Sequence, residues 1–184
     1  MPHFTRIADG IDVRPILCQL DAHPELWDQH TARKIAPGTP HSQMSDIWVR
    51  WRALEELREP KDYAEPHFGV WYPAWHALSA LQPLVYGLMA QVRCVHLGGI
   101  LITRIPPGGG IEPHHDRGPW HAEYHNCKVY VPLKSNARCV NVCEGEEVNM
   151  RVGEIWTFNN LLVHSVENNG AEERITAIIS MRVE

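Results

Sequence analysis

The run Ile100-Leu101-Ile102-Thr103-Arg104-Ile105, then Pro106-Pro107-Gly108-Gly109-Gly110, then Ile111-Glu112-Pro113-His114-His115-Asp116 decides how this chain reads. The first six residues have the length and β-branched content of a strand. The five that follow are turn chemistry. The last six return as a second strand. In a strand, positions i and i+2 share a face, so His114 and Asp116 can reach one point inside a barrel. A register that turned His115 to that point would turn Asp116 away; His115 is therefore expected outward or toward substrate.

Working outward, the whole chain from Gly98 on has this texture. Strands are expected at 100–105, 111–116, 124–132, 138–143, 147–152, 154–159, 161–168 and 174–182, separated by turns at 106–110, 133–136, 144–146 and 167–170. No segment is long enough to be the crossover helix of a parallel sheet. The expected class is mainly β with flanking α: a jelly roll, or double-stranded β-helix of the cupin kind. Residues 1–184 are expected as a single domain, with a mixed α/β part at 1–97 supporting a catalytic core at 98–184.

His164, in Leu161-Leu162-Val163-His164-Ser165-Val166, lies 164 − 116 = 48 residues past Asp116, room for several returning strands. Two imidazoles and one carboxylate on one side of a metal leave half an octahedron open, the facial triad of non-haem Fe(II) oxygenases. The motif is short and the chain has 12 His, so a surface turn is the competing reading. Arg174 enters the apolar strand Ile175-Thr176-Ala177-Ile178-Ile179-Ser180, and a guanidinium there needs an anionic partner. Its planar fork suits a carboxylate; the plainer alternative is a salt bridge to neighbouring Glu172 or Glu173.

Composition narrows the classes. With 44% hydrophobic and 21% charged residues the chain is not generally disordered. A net charge of −5 argues against a protein that grips nucleic acid through its phosphates. No stretch approaches the roughly 20 apolar residues of a membrane span, and the N-terminal stretch has no signal-peptide pattern. Five Cys without a CxxC pair argue against a disulfide framework or zinc ribbon; Cys139 and Cys143 read as buried thiols. A cytoplasmic enzyme with a small-molecule or peptidyl substrate is expected, its oligomeric state open.

The first half is less explicit. Asp12–Leu17 is expected as a strand and the segment after Asp21 as a short helix. Residues 36–45 and 59–74 are expected as loops. Ile47, Val49 and Trp51 suggest a strand, with a helical reading of Ile47, Trp51 and Leu54 competing. Leu78, Leu81, Val85 and Leu88 have helical spacing, interrupted or restarted at Pro83. Pro40-His41-Ser42 and Arg50 are candidates for substrate recognition, although Arg50 between Trp48 and Trp51 also suits a structural cation on aromatics. Trp156 and Phe158 could wall a pocket or simply pack.

His114-x-Asp116, His164 and Arg174 in this order resemble the Fe(II)/2-oxoglutarate-dependent oxygenases. IPPGGGIEPH at 105–114, VPL at 131–133, GEIWTFNN at 153–160, HSVEN at 164–168 and Arg174-Ile175 resemble, more narrowly, the aspartyl/asparaginyl (and proline) β-hydroxylase family. The resemblance covers roughly 98–184; before it, only PHS at 40–42 and DIWVR at 46–50 are similar. It implies Fe(II) on His114, Asp116 and His164, and 2-oxoglutarate with its distal carboxylate on Arg174, with O2 as oxidant. Family members often carry a basic residue and a histidine before Val131 that help hold the co-substrate. Here that region reads Tyr124-His125-Asn126-Cys127-Lys128, which makes His125 and Asn126 the candidates. The implied activity is hydroxylation of an unactivated C–H, of an Asp- or Asn-type peptidyl residue or a free amino acid. A cupin-like metalloenzyme that does not use 2-oxoglutarate, or a β-barrel binding module without activity, would also fit the residues alone.

Overall fold

The computed structural model describes residues 2–65, 67–116 and 125–184. In chain order these form β1 (Phe4–Ala8), α1 (Arg14–Ala22), α2 (Ala32–Ile35), β2 (Ser45–Trp51), β3 (Val70–Trp71), α3 (Ala74–Ala77) and α4 (Leu81–Gln91). Then come β4 (Cys94–Ile105), β5 (Gly110–His114), β6 (Cys127–Lys134), β7 (Cys139–Cys143), β8 (Glu146–Val148), β9 (Ile155–Phe158), β10 (His164–Asn168) and β11 (Arg174–Val183). The second group stands where the sequence placed its eight strands; Tyr124, the start expected for the third, lies outside the described residues.

One sheet has the order β1-β9-β6-β11-β4-β2-β3 and the other β5-β10-β7-β8, and the strand pairs are antiparallel. The jelly-roll expectation holds. The two sheets meet through Ile105 of β4 with Ile111 and Val166, and through Tyr130 and Ile178 with Cys143 and Met150. The outer face of the large sheet is covered by the helices. Ile16 and Leu20 of α1 and Leu81, Val85 and Leu88 of α4 pack on Val129, Val131, Ile175, Ala177, Ile179 and Met181.

This explains the apolar run of β11. It lies between β4 and β6 with both faces covered, and its first eight residues are buried. Ile175, Ala177 and Ile179 point to the helices, while Arg174, Thr176 and Ile178 take the other face, between the sheets.

Asn168 ties the end of β10 to the turns around it. Fully buried, it donates from Nδ2 to the carbonyls of Ile105, Pro106 and Glu172 at 3.2, 3.1 and 2.8 Å, and its Oδ1 accepts from Asn136 at 3.0 Å. Its backbone bonds to Gly108 and Gly109, closing the Pro-Gly turn before β5. Gly108, at φ 73°, supplies a backbone conformation that an L side chain rarely adopts. Asn168→Ala leaves those carbonyls short of a donor. It is expected to cost on the order of 3 kcal/mol and lower the melting temperature by about 6–12 °C. A thermal melt within a degree of the parent would contradict that account.

The first half corrects several expectations. Asp12–Leu17 is not a strand; α1 starts there, because Pro15 suits the first turn and Ile16 and Leu20 then share a buried face. After Asp21 only one 3-10 turn forms, at Pro24–Leu26. Residues 45–51 are a strand, not a helix: Ile47 and Val49 bury against the helices and Trp48 against Tyr72 and Leu101 on the other face. Pro83 falls in the first turn of α4, where its missing N–H costs nothing. No pattern in residues 4–8 pointed to β1, which pairs with β9.

Candidate metal and co-substrate site

His114 ends β5 and His164 begins β10, and the two stand directly opposite in the antiparallel pair. Opposite residues share a face, and the ring centroids lie 4.3 Å apart. Each ring donates through Nδ1 to a backbone carbonyl, His114 to Glu112 (2.8 Å) and His164 to Leu162 (2.9 Å). A carbonyl only accepts, so Nδ1 carries the hydrogen and Nε2 keeps its lone pair. Burial lowers the pKa of both, that of His164 to about 4, so both are neutral near pH 7. Asp116 Oδ1 is 3.8 Å from His114 Nε2. One ligand atom from each of His114, Asp116 and His164 fits within 4.8 Å of the others.

Asp116 is held in place from two sides. Its N–H donates to the Asn160 carbonyl at 2.9 Å, Asn160 Nδ2 donates to Oδ2 at 3.0 Å, and the half-buried Lys128 ammonium pairs with Oδ2. Lys128 and Asn160 were not singled out from sequence. A lysine inside the apolar strand Val129-Tyr130-Val131 was a usable signal; nothing around Asn160 was.

Arg174 is 1% exposed. Its neighbours do not neutralise it: Glu173 pairs with Lys134 at 3.1 Å, and among the described residues no carboxylate reaches Arg174. Nη2 donates to Asn141 Oδ1 at 2.9 Å, while Nε has no partner, nor has the buried Thr176 Oγ1 two residues along the same face. Burial pulls its pKa below the usual guanidinium value. A buried cation with an idle donor beside an idle hydroxyl fits the carboxylate of an acid. Thr176 was legible by the same i, i+2 rule that joined His114 to Asp116, and was missed.

Two adjoining cavities open on the His114, Asp116 and His164 cluster; Arg174 and Thr176 lie behind the inner one, whose wall includes Asn141, the hydrogen-bond partner of Arg174. An inner one of about 40 Å3 lies between the sheets, bordered by Tyr130, Asn141, Phe158, His164 and Ile178. An outer one of about 250 Å3 is bordered by Arg33, His41, Trp51, Tyr63, His125 and Asp116. His114 and Lys128 line both.

The remaining candidates separate clearly. His115 is exposed and borders the outer cavity, as expected. His125 is buried and lines the outer cavity. Asn126 is a correction: its amide closes on the backbone N–H and carbonyl of Val183, at 2.8 and 2.9 Å, and it borders neither cavity. Lys128, two residues on, is the one that faces inward. Phe158 walls the inner cavity, whereas Trp156 donates to Glu154 and packs beside it. Arg50 is a structural cation, over Trp71 rather than Trp48 or Trp51, with Nη1 on the Gly98 carbonyl. Pro40 and His41 line the outer cavity; Ser42 is exposed.

The Aspartyl/Asparaginyl beta-hydroxylase family model matches residues 43–183. This chain belongs to that family. The match reaches into the first half, well beyond the stretch from 98 on that the sequence motifs covered. Solved structures with the same fold include the viral collagen prolyl hydroxylase vCPH of Paramecium Bursaria Chlorella virus-1, with a TM-score of 0.60 at 11% identity, covering 100% of this chain and 97% of that one. A prolyl hydroxylase of Trichoplax adhaerens, solved with a hypoxia inducible factor peptide fragment, gives 0.58 at 12% identity over 97% and 83%. Among curated proteins, a cysteine–tRNA ligase of Protochlamydia amoebophila (strain UWE25) is 22% identical over 145 residues. That stretch is 79% of this chain but only 28% of the ligase, so the chain spans little more than a quarter of that relative's length. Family and fold thus agree with an Fe(II)- and 2-oxoglutarate-dependent hydroxylase.

Proposed function

We propose that this chain hydroxylates an unactivated C–H of a free amino acid or of an Asp- or Asn-type peptidyl residue. Fe(II) would sit on His114, Asp116 and His164, and 2-oxoglutarate would reach Arg174 and Thr176 with its distal carboxylate. The observation that carries the reading is Arg174: a guanidinium sealed between two sheets, reached by no carboxylate among the described residues, and bonded to Asn141, which lines the same inner cavity as His114 and His164 of the two-imidazole, one-carboxylate cluster. When bound, the iron with 2-oxoglutarate and O2 supplies the oxidising chemistry, giving succinate and CO2 beside the hydroxylated product.

The chain's own residues supply position and exclusion. The carbonyls of Glu112 and Leu162 fix the two imidazole planes. Lys128 and Asn160 hold one oxygen of Asp116 and leave the other toward His114. Phe158, Ile178 and Val166 keep the inner cavity apolar, so charged contacts there are weakly screened. The outer cavity, at about 250 Å3, is smaller than the roughly 300–1,000 Å3 of pockets for drug-sized ligands, which suits one amino acid or one residue of a peptide. The five cysteines are free thiols, in keeping with a reducing compartment.

The direct test is spectroscopic. Protein loaded anaerobically with Fe(II) and then 2-oxoglutarate is expected to show a weak visible charge-transfer band that neither component gives alone. If fully metallated protein shows no band and binds no 2-oxoglutarate, a metalloenzyme of another class, or a binding module, takes its place.

A further inference from the structure

The outer cavity holds a second cationic feature that the metal and co-substrate do not use. Arg33, on α2, is 7% exposed and borders both cavities. Its Nη1 is anchored 2.5 Å from Oδ2 of Asp46, a fully buried carboxylate whose other oxygen accepts from Thr103 Oγ1 at 2.9 Å. Its Nη2 lies 3.2 Å from His41 Nε2. A guanidinium can only donate, so His41 Nε2 accepts and His41 Nδ1 carries the ring hydrogen. That Nδ1 is buried and has no hydrogen-bond partner. His41 lines both cavities, and its ring meets the His114 ring edge-on with centroids 5.0 Å apart.

Trp51 repeats the pattern. It borders both cavities, lies under the Arg33 guanidinium at 5.9 Å, and its Nε1–H is also buried without an acceptor. Unmet buried donors each cost on the order of 1–3 kcal/mol, so two beside one cavity call for an acceptor from outside the chain. The described residues lining the two cavities carry three formal charges, on Arg33, Lys128 and Asp116. Asp116 is committed to Lys128 and the metal cluster, and Asp46 pairs with Arg33 from outside the cavities, so what this corner offers the outer cavity is unmet donors, His41 Nδ1 and Trp51 Nε1, beside the Arg33 guanidinium.

We infer that Arg33 and His41 bind a carboxylate of the substrate, one residue's width from the metal cluster, and so select carboxylate-bearing substrates over their amides. Asp46 is the positioning residue: it holds one amino group of Arg33 while the other donates one hydrogen to His41 Nε2, and the remaining guanidinium N–H groups are left to the ligand. Arg174 takes the co-substrate's carboxylate, on the opposite side of His164 in chain order and on another strand. This inference rests on the proposed function and deepens it. The same chemistry could come from the α-carboxylate of a free amino acid or from the side chain of a peptidyl aspartate.

The experiment separates these. Protein loaded with Mn(II) and 2-oxoglutarate is titrated calorimetrically with L-asparagine against L-asparaginamide, and with N-acetyl-L-aspartate N-methylamide against its asparagine counterpart. In at least one pair the carboxylate is expected to bind 10-fold or more tighter than the amide. Arg33→Met is expected to erase that preference, with 2-oxoglutarate affinity unchanged; Arg33→Lys should keep part of it. Because Arg33→Met strands the buried Asp46, the double variant Arg33→Met/Asp46→Asn removes both charges together. His41→Phe keeps the ring and removes the donor, and should weaken the preferred carboxylate several-fold. A parent protein with no carboxylate preference in either pair, or variants that keep it, would overturn the inference. Failure to bind 2-oxoglutarate in the parent would instead strike at the proposed function.

Discussion

Arg174→Met is expected to raise the 2-oxoglutarate concentration for half-saturation by about 100-fold or more. The side chain is sealed between the sheets at 1% exposure, and no carboxylate among the described residues neutralises it. An acid that reaches it would be recognised by a charge-assisted contact in a weakly screening interior, and Thr176 Oγ1 is in place to add a second bond. Removing the guanidinium strands that carboxylate, which typically costs 3–5 kcal/mol. The same substitution should move stability the other way. Without co-substrate, Arg174 is a buried charge that, among the described residues, is hydrogen-bonded by Asn141 alone; Met has similar length and no charge to desolvate. The co-substrate-free variant is therefore expected to melt no lower than the parent, and a few degrees higher if Asn141 repacks. Opposite signs in the two measurements are the signature of a side chain kept for a ligand. Unchanged 2-oxoglutarate affinity would show that Arg174 is structural.

That signature was half visible in the sequence. A lone arginine opening Ile175-Thr176-Ala177-Ile178-Ile179-Ser180 announced a buried cation, but two glutamates beside it offered a plain explanation. Only the fold removes it, by turning Glu173 out to Lys134 and Arg174 inward. The triad behaves similarly. The i, i+2 rule joined His114 to Asp116, because that relation is local. His164 was chosen for its place on a later strand, and the pairing of His164 with His114 across β10 and β5 is a matter of register, which no single strand encodes.

Asn126 and Lys128 show the reverse error. On the strand expected at 124–132 they stand two residues apart and should share a face; in the structure Asn126 lies before the first ladder residue, Cys127, and turns to the end of β11 instead. Elements of the β half were legible from turn chemistry and alternation. α1 was not, since six residues with an early proline read equally as a strand. Arg33 was invisible, because its environment is assembled from α2, β2 and the loop between them.

His164→Ala is expected to lower divalent-metal affinity by about 100-fold or more and to abolish hydroxylation. Sites with four protein ligands gain about 10–16 kcal/mol from the metal, so one ligand of three carries several kcal/mol, and 1.4 kcal/mol is tenfold. The fold should tolerate the change: His164 makes one hydrogen bond to Leu162, close in sequence, and its burial already disfavours the charged form. Asn160→Ala removes one of the two groups that, among the described residues, hold Asp116 Oδ2, without removing a ligand. Loss of such a supporting contact typically costs 10- to 100-fold. Trp156→Phe, on a residue outside both cavities, should leave affinity unaltered. The order of effects, His164 above Asn160 above Trp156, is the test, read by competition with a metal chelator at pH 7. A His164→Ala protein that keeps parental affinity would make the cluster of His114, Asp116 and His164 incidental, and with it the iron. A graded loss in that order ties the open face of the cluster to the two cavities, because each contact that orients Asp116 would then be felt at the metal.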